Sequence, residues 1–128
     1  MRMSNPGAGE ISDRLTILAL KIIAGREPGK DTAHFEVERA ALLAQIRTRT
    51  LNGKWFEAVL QLGAVNGMLW HAEDDLRAWR SPPRAYTLPD LEAIRILAFR
   101  IQSLNDQRAE LVTQINKEAG DGDAKEKG

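Results

Sequence analysis

Between Val65 and Arg80 the chain reads VNGMLWHAEDDLRAWR, and on a helix Asn66, Trp70, Glu73 and Arg77 follow one another at steps of four, three and four. Those steps place an amide, a carboxylate and a guanidinium along one face, beside Leu62, Leu69 and Leu76. A second stretch, ILAFRIQSLNDQRAELV, repeats the pattern, with Asn105 and Arg108 on the stripe of Ile101, Leu104 and Val112. An isolated charge in a core costs several kcal/mol, so such groups persist only when paired or when open to water or a ligand. Glu73 with Arg108, or Arg77 with Asp106, would meet that condition, with Asn66 and Asn105 filling the remaining donor and acceptor positions. Two interrupted faces point to one meeting place.

Three readings follow, the third being that the helix phase differs and these side chains are solvated. The structural one is a polar network that fixes helix order and register. The functional one is a ligand or active site built from Asn66, Glu73, Asp74, Arg77, Asn105 and Arg108, in which Arg77 and Arg108 clamp an anion and Glu73 is the candidate base. Spacing removes most specific chemistries. A di-iron bundle needs Glu-x-x-His on two helices, and neither His34 nor His71 lies three residues after a Glu. His71 and Glu73, two positions apart on a helix, diverge by about 200° and form no chelate. Glu73 and Asp74 diverge as neighbours do, there is no cysteine nucleophile, and Ser12, Ser81 and Ser103 have no evident base. No glycine loop of the phosphate-cradling type occurs. No catalytic residue, metal or cofactor is therefore assigned.

Composition narrows the partners. Eighteen Lys and Arg balance eighteen Asp and Glu over 128 residues, so the chain lacks the net field that draws a protein to nucleic acid or an anionic membrane. The clusters Arg47, Arg49, Lys54 and Arg77, Arg80, Arg84 are short and read as solvated helix ends. The longest apolar run, LTILALKII at 15–23, is too short to span a bilayer and carries Lys21, and the first ten residues contain no apolar leader. Absence of cysteine fits a reducing, cytoplasmic setting. The expected partner is another protein or a second copy of the chain, with no membrane.

The positioning elements are all helical. Ile11, Leu15, Leu18, Ile22 and Ile23 predict a first helix over about 10–25, stopped at Gly25. Asp31 or Thr32 caps a second, with Phe35, Leu42, Leu43 and Ile46 as its buried stripe. Asn52-Gly53 predicts a turn, and a third helix follows over about 54–79, ending before Pro82-Pro83. Gly63 and Gly67 within it, one turn apart, predict a close backbone approach by a neighbouring helix. Thr87-Leu88-Pro89-Asp90 is an N-terminal cap for a long fourth helix to about Lys117. The loop over 80–88 would carry Arg84 and Tyr86 across one end of the bundle. Residues 1–9 read as a flexible N-terminus, 10–118 as the helical domain, and the glycine-rich, charged stretch 119–128 as a disordered tail. Together these predict an all-α domain, an antiparallel four-helix bundle.

The stretches GEISDRLTILALKI (9–22), VNGMLWHAEDDLRAW (65–79) and LAFRIQSLNDQRAELVTQIN (97–116) resemble, in order, a family of small bacterial proteins carrying an uncharacterised domain. Its pattern is a GE-x-x-DKLTIL-like opening, an N-x-x-LW-x-x-ED-x-x-R segment and an ND-x-RA-x-x-x-x-x-IN segment. The resemblance singles out Gly9, Glu10, Asp13, Leu15, Thr16, Asn66, Leu69, Trp70, Glu73, Asp74, Arg77, Asn105, Asp106, Arg108 and Asn116. Arg14 stands where the family usually has Lys, and the family's charged ending before an aromatic residue is absent. Members are often encoded among genes for surface polysaccharide synthesis, and no activity comes with the family. By adding Asp13 and Thr16, with Trp70, as secondary candidates, the resemblance implies that polar groups of three helices converge. The expectation is a non-enzymatic helical module that binds a partner or itself, with the close-packing glycines, Trp55 and Trp79 favouring association. The alternative is a site for an anionic or sugar-derived ligand between the third and fourth helices.

Overall fold

The computed structural model describes residues 6–25, 31–80 and 85–121. Four helices, α1 (Ala8–Ala24), α2 (Ala33–Ile46), α3 (Gly53–Arg80) and α4 (Leu88–Glu118), form an all-α four-helix bundle. The sequence explains where the two long helices begin. Asn52 accepts from the Trp55 N–H through Oδ1 at 2.9 Å, so the expected Asn-Gly turn is also the cap of α3. At α4 the expected cap is a reciprocal box: Thr87 Oγ1 accepts from Asp90 N at 3.2 Å, and Asp90 Oδ2 accepts from Thr87 N at 2.9 Å. Tyr86 is tied to the same end, its hydroxyl donating to the Trp79 carbonyl at 2.6 Å; Arg84 lies outside the described residues.

α3 and α4 make the most extensive helix pair. Their seam residues repeat at alternating steps of three and four. On α3 these are Trp55, Ala58, Leu62, Val65, Leu69, Ala72, Leu76 and Trp79, each buried or half-buried. On α4 they are Asp90, Ile94, Leu97, Ile101, Leu104, Arg108, Leu111 and Ile115, again none of them exposed. A period of 3.5 keeps the seam facing the partner along the whole length, as in coiled coils. Trp55 and Trp79, expected to favour association, are therefore seam residues of the α3–α4 pair.

α1 lies along one side of this hairpin, antiparallel to α4: Gly9 meets Val112 and Asp13 meets Arg108. The contact at Gly9 is backbone to backbone, for a Cβ there would sit 2.2 Å from the Val112 carbonyl oxygen. This corrects the expectation for Gly63 and Gly67. A Cβ at Gly63 would meet only Thr16 Cγ2, at an ordinary 3.8 Å, and one at Gly67 would meet nothing within 4 Å. The close approach is real, but Gly9 makes it possible. α2 packs against α1 alone, and of its expected stripe only Ile46 is fully buried. Leu42 and Leu43 lie half-buried against the same core.

Candidate functional site

Arg108 of the seam and Asn66 of α3 beside it converge on a residue of α1. Arg108 donates to the Asp13 carboxylate as a two-pronged fork, Nε to Oδ1 at 2.9 Å and Nη2 to Oδ2 at 2.6 Å. Asn66, 4 % exposed, donates through Nδ2 to Asp13 Oδ1 at 2.8 Å and to Thr16 Oγ1 at 2.7 Å. The Thr16 hydroxyl in turn donates to the Asp13 carbonyl at 2.8 Å. One carboxylate thus receives three charged or amide donors. The Arg108 guanidinium is correspondingly held above its ordinary pKa, first by the hydrogen bonds to Asp13, against its own partial burial, with the charges of Asp13 and Glu73 adding.

The expected pairings are corrected here. Arg108 pairs with Asp13 and not with Glu73, and Arg77 pairs with Asp74 one turn back on its own helix and not with Asp106. Asn66 and Glu73, seven residues apart, share one phase of the 3.5-residue seam, but Asn66 is bonded beneath α1 whereas Glu73, Asp74 and Arg77 are exposed. Asn105 and Asp106 are likewise exposed, and Trp70 is half-buried. Of the six principal candidates the structure gathers Asn66 and Arg108. The secondary candidates Asp13 and Thr16 complete that group and are its centre.

A second polar group sits at the N-terminus of α1, about one turn before Asp13, where the first N–H groups of a helix need partners. Asn116 Oδ1 accepts from Gly9 N at 2.7 Å, and its amide donates to Glu10 Oε1 at 3.0 Å. Asp121 Oδ2 accepts from Ala8 N at 2.6 Å and from Arg49 Nε at 3.0 Å. Arg49 also donates to the carbonyls of Pro6 and Gln45, each at 2.8 Å. No family pattern matches this chain, and no curated protein or solved structure is detectably similar. The two polar groups must be interpreted from their own geometry. In the second, a helix N-terminus is capped by the end of α4 and locked by Arg49, which is no solvated helix end. Residues 6–9 and 119–121, expected to be flexible, are bonded into the bundle. The rest of both terminal stretches lies outside the described residues.

Sequence reasoning assigns neither Arg49 nor Asp121 this role, and reads Arg49 as part of a solvated helix end. Neither carries a periodic signal, and a composition rule placed Asp121 in the tail. Gly9, Glu10 and Asn116 stood out only through the resemblance; their geometry now gives each a physical role. Among the described residues, no three His, Asp or Glu side chains gather closely enough to hold a metal ion.

Proposed function

We propose that the protein is a helical self-association module, in which the Asp13–Asn66–Thr16–Arg108 group is a specificity element that sets α1 on the hairpin. One observation carries this reading. Ile96 and Phe99, large apolar residues on α4, are 59 % and 58 % exposed although every seam position of that helix is already buried or half-buried. Leu91 is 49 % exposed on the same helix, and Met68 of α3 is 39 % exposed. Large exposed apolar side chains gathered along one element mark contact surfaces more often than scattered ones do. The polar group, by contrast, spends its hydrogen bonds on itself. A cytoplasmic setting fits a chain without cysteine, and no helix among the described residues is long and apolar enough to cross a membrane. Light scattering over a concentration series tests the reading: a mass rising towards twice that of the chain is expected, and a constant monomer mass at every concentration would overturn it.

A second reading has one specific observation in its favour. The Arg108 side chain keeps 34 % of its surface exposed, and the Glu73 carboxylate is near enough to act on it. An anionic or sugar-derived ligand bound there would raise the melting temperature by mass action, and Arg108→Gln would abolish the rise.

A further inference from the structure

The self-association reading leaves open which surface is used, and the side of α4 turned away from α1 supplies an answer. α1 takes the stripe Arg108, Val112 and Asn116. On the other side two shallow grooves run between α3 and α4. One lies at Asp75, Ala78, Ile96 and Arg100, the other at Ala64, Met68, Gln107 and Glu110. Along α4 this side carries Glu92, Ile96, Arg100, Ser103, Gln107, Glu110, Gln114 and Lys117, all exposed.

The charges on this stripe have an order. From the N-terminal end they read acid, base, acid, base: Glu92, Arg100, Glu110, Lys117. Turned end over end about a point near residue 105, Arg100 falls opposite Glu110, and Glu92 falls opposite Lys117. Ser103 falls opposite Gln107, a hydroxyl against an amide. Every charge on the stripe thus meets its opposite in an inverted copy of itself, and each match occurs twice because a twofold contact is self-complementary. Arg100, Glu110 and Lys117 make no ion pair among the described residues, so their charges are uncommitted. Glu92 is held by Arg95, with Nε donating to Oε2 at 3.0 Å, so the inner pair carries the greater weight. Met68 lies beside the midpoint, where its unbranched side chain fits an imperfectly matched surface. Ile96 and Phe99 lie to either side of the axis in the two copies.

From this order we infer that a second copy of the chain docks on the open side of α4, the two α4 helices packing antiparallel about a twofold axis near residue 105. The inference rests on the self-association reading but commits to one surface and one register. A parallel arrangement would set Arg100 against Arg100 and Glu110 against Glu110. The antiparallel arrangement also opposes the two helix dipoles, as in antiparallel bundles.

The test is charge exchange on the full chain, followed by sedimentation equilibrium, with circular dichroism to verify that each variant retains its helix content. Arg100→Glu sets acid against Glu110 twice, and Glu110→Arg sets base against Arg100 twice. Each is expected to weaken self-association by about tenfold or more. The double variant restores both matches and is expected to return to within about threefold of the original chain. Equimolar mixing of the two single variants should give a mixed dimer tighter than either forms alone. A dimer that neither single change weakens overturns this interface while self-association stands. A double variant as weak as the singles overturns the antiparallel register. An original chain that is monomeric throughout overturns both, and leaves this face to a different protein.

Discussion

Two arginine–aspartate pairs, one joining α4 to α1 and one within α3, use the same chemistry and differ in almost every consequence. Arg108 and Asp13 meet as a two-pronged fork beneath α1, with Asn66 donating to the same carboxylate. Arg77 and Asp74 meet on one exposed turn of α3, with 61 % and 53 % of their side chains in water. The first joins residues 95 apart in sequence and the second residues three apart. Water is what separates them. In the exposed pair, solvent already satisfies both charges before they meet, and the net gain is small. In the covered pair, α1 has removed most of that solvent from Asp13, so each partner depends on the other.

The contrast is sharpest if one partner is removed. Asp13→Ala leaves the Arg108 guanidinium partly covered and unmatched, and chemical denaturation should show a loss of about 2–3 kcal/mol. That is less than the 3–5 kcal/mol of a fully buried pair, because solvent still reaches Arg108. Adding Arg108→Met to Asp13→Leu should recover much of the loss, since an apolar pair of similar volume often replaces a covered ion pair without penalty. Failure of the double change to recover stability would show that Asn66 and Thr16 need the charge as well.

Next in size is a pair of glycines expected to respond with opposite signs. Gly9→Ala forces a methyl group against the Val112 carbonyl and should cost about 1–3 kcal/mol or more by overpacking, read as a lower urea midpoint. Gly67→Ala meets open space and should gain about 0.5–1 kcal/mol through helix propensity. Smallest of all is Arg77→Ala, whose effect should stay within about 0.5 kcal/mol. A large loss there would mean that the exposed pair has a partner in solution, and would erase the distinction drawn above.

Much of the architecture was legible because local chemistry agreed with it. Thr87 and Asp90 advertise the start of α4, Asn52 the start of α3, and the apolar spacings of α1 and α4 match their buried faces except at Ile23 and Leu91, which are exposed. The polar site was only half legible. Asn66 and Arg108 were found because an amide and a guanidinium interrupt apolar stripes. Glu73 and Arg77 were grouped with them because helical spacing says which residues share a face and not how far along it a neighbouring helix lies over them: Asn66 is bonded to α1, and Glu73 and Arg77 are exposed. Asp13 could not be found from α1 alone, where it reads as one more polar residue on an outer face. Only a pattern spanning three helices pointed to it. Arg49 and Asp121 had no such help, because besides each other they bond backbone groups, which leave no trace in residue type.

The cap on α1 has a consequence for how the molecule is made. Its first turn is closed by Asn116 and Asp121, residues 107 and 113 positions further along the chain. A ribosome delivers residues in order, and domains fold as their parts emerge. The leading helix therefore waits, with its opening amides solvated and Gly9 uncovered, until nearly all the described chain has left the exit tunnel. Of the four helices, the one synthesised first is the last to be finished.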